Sequence, residues 1–216
     1  MNLRTKTLLA VEFLAIFVGI PLTLFFARQI IPPFPVLWLV AAYCLVALYR
    51  DPEFPRSQLW NPRPLRSHLG SILLLFALGV VLISSLVYEF APRLLFSFVR
   101  AHPVTWAVVM VLYPVLSVYP QGIIYRAFLL HRYRNRAGAS PQQKWALILV
   151  SALAFSLMHI VFRNWVAVAL TFAGGVLFAR RHLETRSLFV SSFEHALYGC
   201  FVFTIGLGQF FYMRLV

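Results

Sequence analysis

A chain of 216 residues that is 61% hydrophobic and only 12% charged carries about half the charge of an ordinary soluble domain, and its mean hydropathy of +0.82 excludes a water-soluble fold. The formal net charge of +13 comes from 19 Lys and Arg against 6 Asp and Glu. These cations flank apolar blocks, so membrane lipids with anionic headgroups are their expected neighbours and nucleic acid is not an expected partner. The blocks run for roughly 15 to 25 residues, enough to cross a hydrocarbon layer about 30 Å thick at 1.5 Å per residue. The expected fold class is therefore all-α, a polytopic transmembrane helix bundle of about seven to eight spans forming a single membrane domain over residues 1–216; a barrel would alternate in short segments.

The first expected span covers residues 7–27. Its core is too long for a cleaved signal peptide and contains Glu12, so it reads as a retained helix. Further spans are expected at 35–49 and 70–88, separated by the longest polar stretch, residues 50–68. The fourth, 104–130, is interrupted by Pro114 and Pro120; each removes a backbone donor, leaving either a kinked helix or a break satisfied by a cavity. Spans five and six cover 145–162 and 165–179, and in the sixth Ala167, Thr171, Gly175 and Ala179 form a smooth face for close helix contact. The last, 187–213, is long enough to bend or to hold two helices. Cys44 and Cys200 lie in apolar spans and read as packing residues. A cytoplasmic N-terminus puts thirteen cations (Arg4, Lys6, Arg50, Arg56, Arg63, Arg66, Arg132, Arg134, Arg136, Lys144, Arg180, Arg181, Arg186) on that side and four (Arg28, Arg93, Arg100, Arg163) on the other, the orientation the positive-inside rule favours.

Ionisable groups at membrane depth cost about 2.5 to 3.5 kcal/mol each on insertion scales, so Glu12, Arg126, His159, Glu194 and His195 each need a reason. Helical rise places Gln121 about 15 Å deep, Arg126 about 7 Å, His159 about 21 Å and His195 about 12 Å, and tilts of ~20° bring them into one layer. Each also has a plain structural reading. Arg126 is near enough to the interface to snorkel, His159 reads as a packing histidine, Glu194 as an ion pair with Arg126, and Glu12 as an interhelical polar contact.

Three short motifs follow in order on three apolar spans: Gln121-Gly122-Ile123-Ile124-Tyr125-Arg126, Phe155-Ser156-Leu157-Met158-His159 and His195-Ala196-Leu197-Tyr198-Gly199. They resemble the CAAX-protease and bacteriocin-processing (Abi) family of intramembrane proteases, whose pattern is Glu-Glu-x-x-x-Arg, Phe-x-x-x-His and His-x-x-x-Asn; residues 104–213 would be the protease core. The resemblance implies that an acid of the first motif activates water, that the histidines orient it or stabilise the oxyanion, and that the Asn assists. Here Gln121 and Gly122 replace both glutamates and Gly199 replaces the Asn, while Arg126, His159 and His195 are retained.

The implied function is an intramembrane endopeptidase acting on a peptide or prenylated C-terminus at a bacterial-type inner membrane. It is either silenced by the missing glutamates or served by Glu194 as a substitute base. The alternative is a non-catalytic membrane scaffold or peptide-binding immunity factor. The expected partners are membrane lipids and a peptide or protein substrate. No cofactor is expected. Zinc on His159, His195 and Glu194 would have a catalytic ligand count, but no His-Glu-x-x-His signature is present and Glu194 points about 100° away from His195 on a helix.

Overall fold

The structure, a computed structural model, describes residues 3–27, 29–134 and 140–211. Seven helices are long and apolar enough to cross a membrane: α1 (Lys6–Ala27), α2 (Pro33–Arg50), α3 (Leu65–Phe90), α4 (Pro103–Arg132), α5 (Pro141–Phe162), α6 (Trp165–Thr185) and α7 (Leu188–Ile205). No strand occurs among the described residues. The chain is an all-α integral membrane protein with a helix at each expected span. The last span takes the two-part form: α7 stops at Gly206, whose φ is +107°, and a 3₁₀ turn follows at Leu207–Phe211. Glycine is required there, because a Cβ would collide with the Leu94 carbonyl oxygen. Arg28, Arg136, Met213 and the side chain of Arg4 lie outside the described residues.

Local chemistry sets the helix starts. Proline occupies the first turn of α2, α4 and α5, where its missing N–H would be unpaired in any case. Ahead of α5, Ser140 and Gln143 form a reciprocal capping box. Asn164 and Ser187 cap α6 and α7 through the amides of Ala167 and Val190. Within α4 the prolines do not break the helix. The chain instead widens into a π turn at Pro114–Val118 and a second at Ile123–Phe128, and π turns frequently mark functional sites.

α5 and α6 pack most closely. The expected smooth face does this work: Ala167, Thr171 and Ala179 are buried, and a Cβ on Gly175 would lie 2.8 Å from Ala152 Cα. At the end of the bundle where α4 finishes, Glu12 makes the interhelical contact expected of it. It accepts from Arg132 at 2.9 and 3.2 Å, Tyr43 at 2.8 Å and Tyr133 at 3.0 Å. Asp51 sits beside His131 at 2.9 Å. Burial alone would raise the Asp51 carboxyl, but the hydrogen bonds from His131 and the Glu53 amide, helped by Arg134, outweigh burial and hold it below the usual carboxylate range.

The polar stretch after α2 is not a free loop. Phe54 and Leu59 are buried, the Tyr119 hydroxyl donates to the Leu59 carbonyl at 2.7 Å and Ser187 Oγ to the Asn61 carbonyl at 2.6 Å. This strap ties the middle of α4 to the start of α7. At the other end, the Phe96 amide bonds the Ile205 carbonyl and Asn164 Nδ2 the Phe210 carbonyl, closing the bundle around the α4, α5 and α7 motifs.

Candidate functional site

His159 marks the point where α5 tightens from an α-helix to a 3₁₀ turn, His159–Phe162. The turn ends at Arg163, which has φ +54°, before Asn164 starts α6. The Nδ1 of His159 lies 2.7 Å from the Phe155 carbonyl one turn back. A carbonyl only accepts, so Nδ1 carries the proton, and in the neutral form of the ring Nε2 is left as an acceptor.

Two phenylalanines gather the retained motif residues. The Phe155 ring lies 4.7 Å from the His159 ring and 5.4 Å from the His195 ring, and Phe178 stacks on His195 at 4.5 Å. Arg126 shares the same two faces, its guanidinium carbon 4.2 Å from the Phe155 centroid and 5.3 Å from that of Phe178. It is 1% exposed, so it does not snorkel. Its Nη1 reaches the Gln121 carbonyl at 3.5 Å, while Nη2 has no protein partner. No carboxylate neutralises it among the described residues; cation–π contact with two rings is the stabilisation present. Arg126, His159 and His195 thus come together, as the joint depth of their spans suggested.

The positions that depart from the motifs have specific surroundings. Gln121 donates through Nε2 to Ser117 Oγ at 2.9 Å, and its buried Oε1 is unpartnered. Gly122 faces α7: a Cβ there would lie 2.8 Å from Leu188 Cδ1 and 2.9 Å from Ser192 Oγ. Gly199 faces Tyr113, where a Cβ would lie 2.7 Å from Cζ and nearer still to Cε1 and the hydroxyl.

Glu194 is not brought to this group. It is fully buried and receives Arg181 Nε at 2.8 Å and Nη2 at 3.2 Å, a bidentate pair that uses both carboxylate oxygens. The ion pair expected with Arg126 forms with Arg181 instead, and Arg181 is buried in the bundle rather than facing the membrane surface. The sequence held a signal for this. Arg180 and Arg181 are adjacent on α6, so a 100° step turns one outward and the other inward, and an acid buried in the next apolar span needs a cation. The zinc set of His159, His195 and Glu194 is accordingly not assembled, and no group of three His, Cys, Asp or Glu residues gathers among the described residues.

A cavity of about 620 Å³ opens beside these side chains. Its polar groups come from Tyr113, Ser117, Gln121, His159, Thr171, His195 and Tyr198, and its walls are otherwise apolar, including Phe155, Phe178 and Phe203. The volume falls in the range of small-ligand sites, and a few convergent polar groups in an apolar wall are what such sites use. Tyr113 and Phe178 belong to this cavity yet stand outside the three motifs, so no spacing singled them out. Against known families, residues 103–201 match the type II CAAX prenyl endopeptidase Rce1-like family. Over these residues the chain is similar to the CAAX-protease family. No curated protein and no solved structure matches it. The matched segment begins with α4 and ends within α7, so every residue of the three motifs falls inside it.

Proposed function

We propose that the chain is an intramembrane endopeptidase of the CAAX type that admits a peptide end carrying an apolar group and turns it over slowly. One observation carries the reading: the bare Nε2 of His159, fixed by the Nδ1 contact to Phe155, belongs to a ring that lines the 620 Å³ apolar cavity. In hydrolysis a water oxygen attacks the peptide carbonyl carbon and gives its proton to Nε2; as the C–N bond breaks, the imidazolium returns that proton to the leaving amine. Arg126 supplies positive charge behind the Phe155 and Phe178 rings as the carbonyl oxygen becomes negative. A general base contributes about 10² to 10⁴ in rate, and a neutral histidine takes the place left by Gln121 and Gly122. Glu194 is unsuited to that task because Arg181 holds both of its oxygens.

The test is cleavage of farnesylated and unmodified peptides by protein in lipid nanodiscs, read by mass spectrometry. Slow cleavage that prefers the farnesylated peptide and is lost in His159→Ala is expected. Gly122→Glu combined with Leu188→Ala, which clears the atom nearest to the new Cβ, should raise the rate. Turnover that survives His159→Ala would overturn the assignment, and binding without cleavage in every variant would make the chain a peptide-binding member of the family.

A further inference from the structure

α4 delivers Tyr113 to the cavity immediately before the first π turn. Its ring meets Phe203 edge-on at 5.2 Å and His195 edge-on at 6.4 Å. The third side of the ring is Gly199, and the ring occupies the space that any side chain at 199 would need. Tyr113 and the glycine therefore belong together: only a residue without a Cβ lets the phenol settle over α7. The hydroxyl comes to rest 3.5 Å from His195 Nε2, well beyond the 2.7–2.8 Å typical of a strong bond from a hydroxyl. Both groups line the cavity. A hydroxyl has one proton to give and two lone pairs, so Tyr113 can accept from a protonated Nε2 of His195 and still donate to something in the cavity.

We infer that Tyr113 is a further site residue, whose hydroxyl, beside His195 Nε2 at 3.5 Å and free to turn into the cavity, donates a hydrogen bond to a carbonyl oxygen of the bound peptide. The inference rests on the proposed peptide-binding reading of the cavity and adds to it the group that recognises the carbonyl. In motif terms, the donor missing from the backbone position of Gly199 is supplied from another helix. A chain of the form N–H to O–H to O=C also strengthens along its length, since each bond polarises the next.

The experiment uses Tyr113→Phe, which keeps the ring over Gly199 and removes only the hydroxyl. Two probes are titrated into the full-length protein in nanodiscs: an N-acetyl-S-farnesylcysteinyl-valinamide, which carries amide carbonyls, and farnesyl methyl thioether, which has the same hydrocarbon and none. Tyr113→Phe should weaken the amide probe by about three- to tenfold, the effect of one hydrogen bond, and leave the thioether unchanged. In the ligand-free protein the ¹⁵N resonances of the His195 ring should shift in the variant, a signature that loss of packing alone would not give. Equal loss for both probes, or no loss for either, overturns the inference while the peptide-binding reading stands. If the wild-type protein binds neither probe, that reading falls and takes this inference with it. Unmoved His195 resonances refute the pairing whatever the probes do.

Discussion

Consider replacing Gly199 with alanine. The new methyl group would sit 2.7 Å from Tyr113 Cζ and closer to two further atoms of the same side chain, where carbon atoms prefer roughly 3.5 to 4.0 Å. The ring cannot retreat freely, because Phe203 and His195 pack against it. Overpacking of this kind costs about 1 to 3 kcal/mol, even though alanine is the better helix former by about 1 kcal/mol. Tyr113→Ala should cost less than the roughly 3 to 5 kcal/mol of a fully buried aromatic, because Tyr113 is only partly buried and borders the cavity. In that background the methyl group enters vacated space, so Gly199→Ala should become neutral or mildly stabilising. The cycle is read by equilibrium unfolding of the four proteins in mixed micelles, and its coupling should reach the upper part of the 0.5 to 3 kcal/mol range seen for contacting residues. Tyr113→Phe, which removes the hydroxyl but leaves Cε1 and Cζ in place, should relieve the penalty only in part. An identical cost of Gly199→Ala with and without the Tyr113 ring would refute the account of this seat.

Glu194→Gln removes the bidentate partner of buried Arg181, leaving it Glu184 at 3.5 Å and Ser71 at 3.2 Å, and should destabilise the fold by up to about 3 to 5 kcal/mol, whereas the paired change Arg181→Met with Glu194→Leu should recover most of that loss; an unfolding titration decides, and a stable Glu194→Gln protein that has lost peptide cleavage would instead make Glu194 the base. Because the Asp51 carboxyl is held below its ordinary value of 3.8, its contribution is complete above that pH and is lost as pH falls below it. Thermal unfolding between pH 5 and 2 should show an acid-side loss of stability that is smaller in Asp51→Asn. For orientation, a cysteine placed at the exposed Arg63, in a chain with Cys44 and Cys200 replaced by alanine, should react with an impermeant thiol reagent only after the membrane is opened, if the N-terminus is cytoplasmic; labelling from outside in intact cells would reverse the assignment.

The spans were legible because twenty apolar residues in a row have one use in a protein of this composition, and helical depth alone brought Arg126, His159 and His195 to one level. What stayed hidden depended on rotation rather than depth. Tyr113 and Phe178 are unremarkable aromatics in aromatic-rich spans, and only the packed bundle shows that they face His195. Pro114 and Pro120 announced a disturbance in α4 but not its form, since a kink, a break and a π turn begin from the same missing N–H. A charge count puts Arg181 on the cytoplasmic side with its neighbour Arg180 and does not distinguish the two faces of one helix, so the burial of Arg181 stays hidden in it. Gly122 and Gly199 read as losses in the sequence; the structure shows that each vacancy of side chain is filled by a neighbour, Leu188 with Ser192 in one case and Tyr113 in the other.

The Arg181–Glu194 pair also bears on how the protein reaches the bilayer. The two residues are thirteen positions apart, on helices joined by a turn at Arg186 and Ser187. Inserted one at a time, α6 would bring a guanidinium met only by Glu184 at 3.5 Å on the same helix and α7 a bare carboxylate, each at a cost that reaches about 2.5 to 3.5 kcal/mol at a helix centre on translocon scales. Entering together as a hairpin, they present the lipid with a pair already matched by two hydrogen bonds. The late helices of this chain are thus suited to leave the insertion machinery as a couple, with the matched charges as the clasp between them.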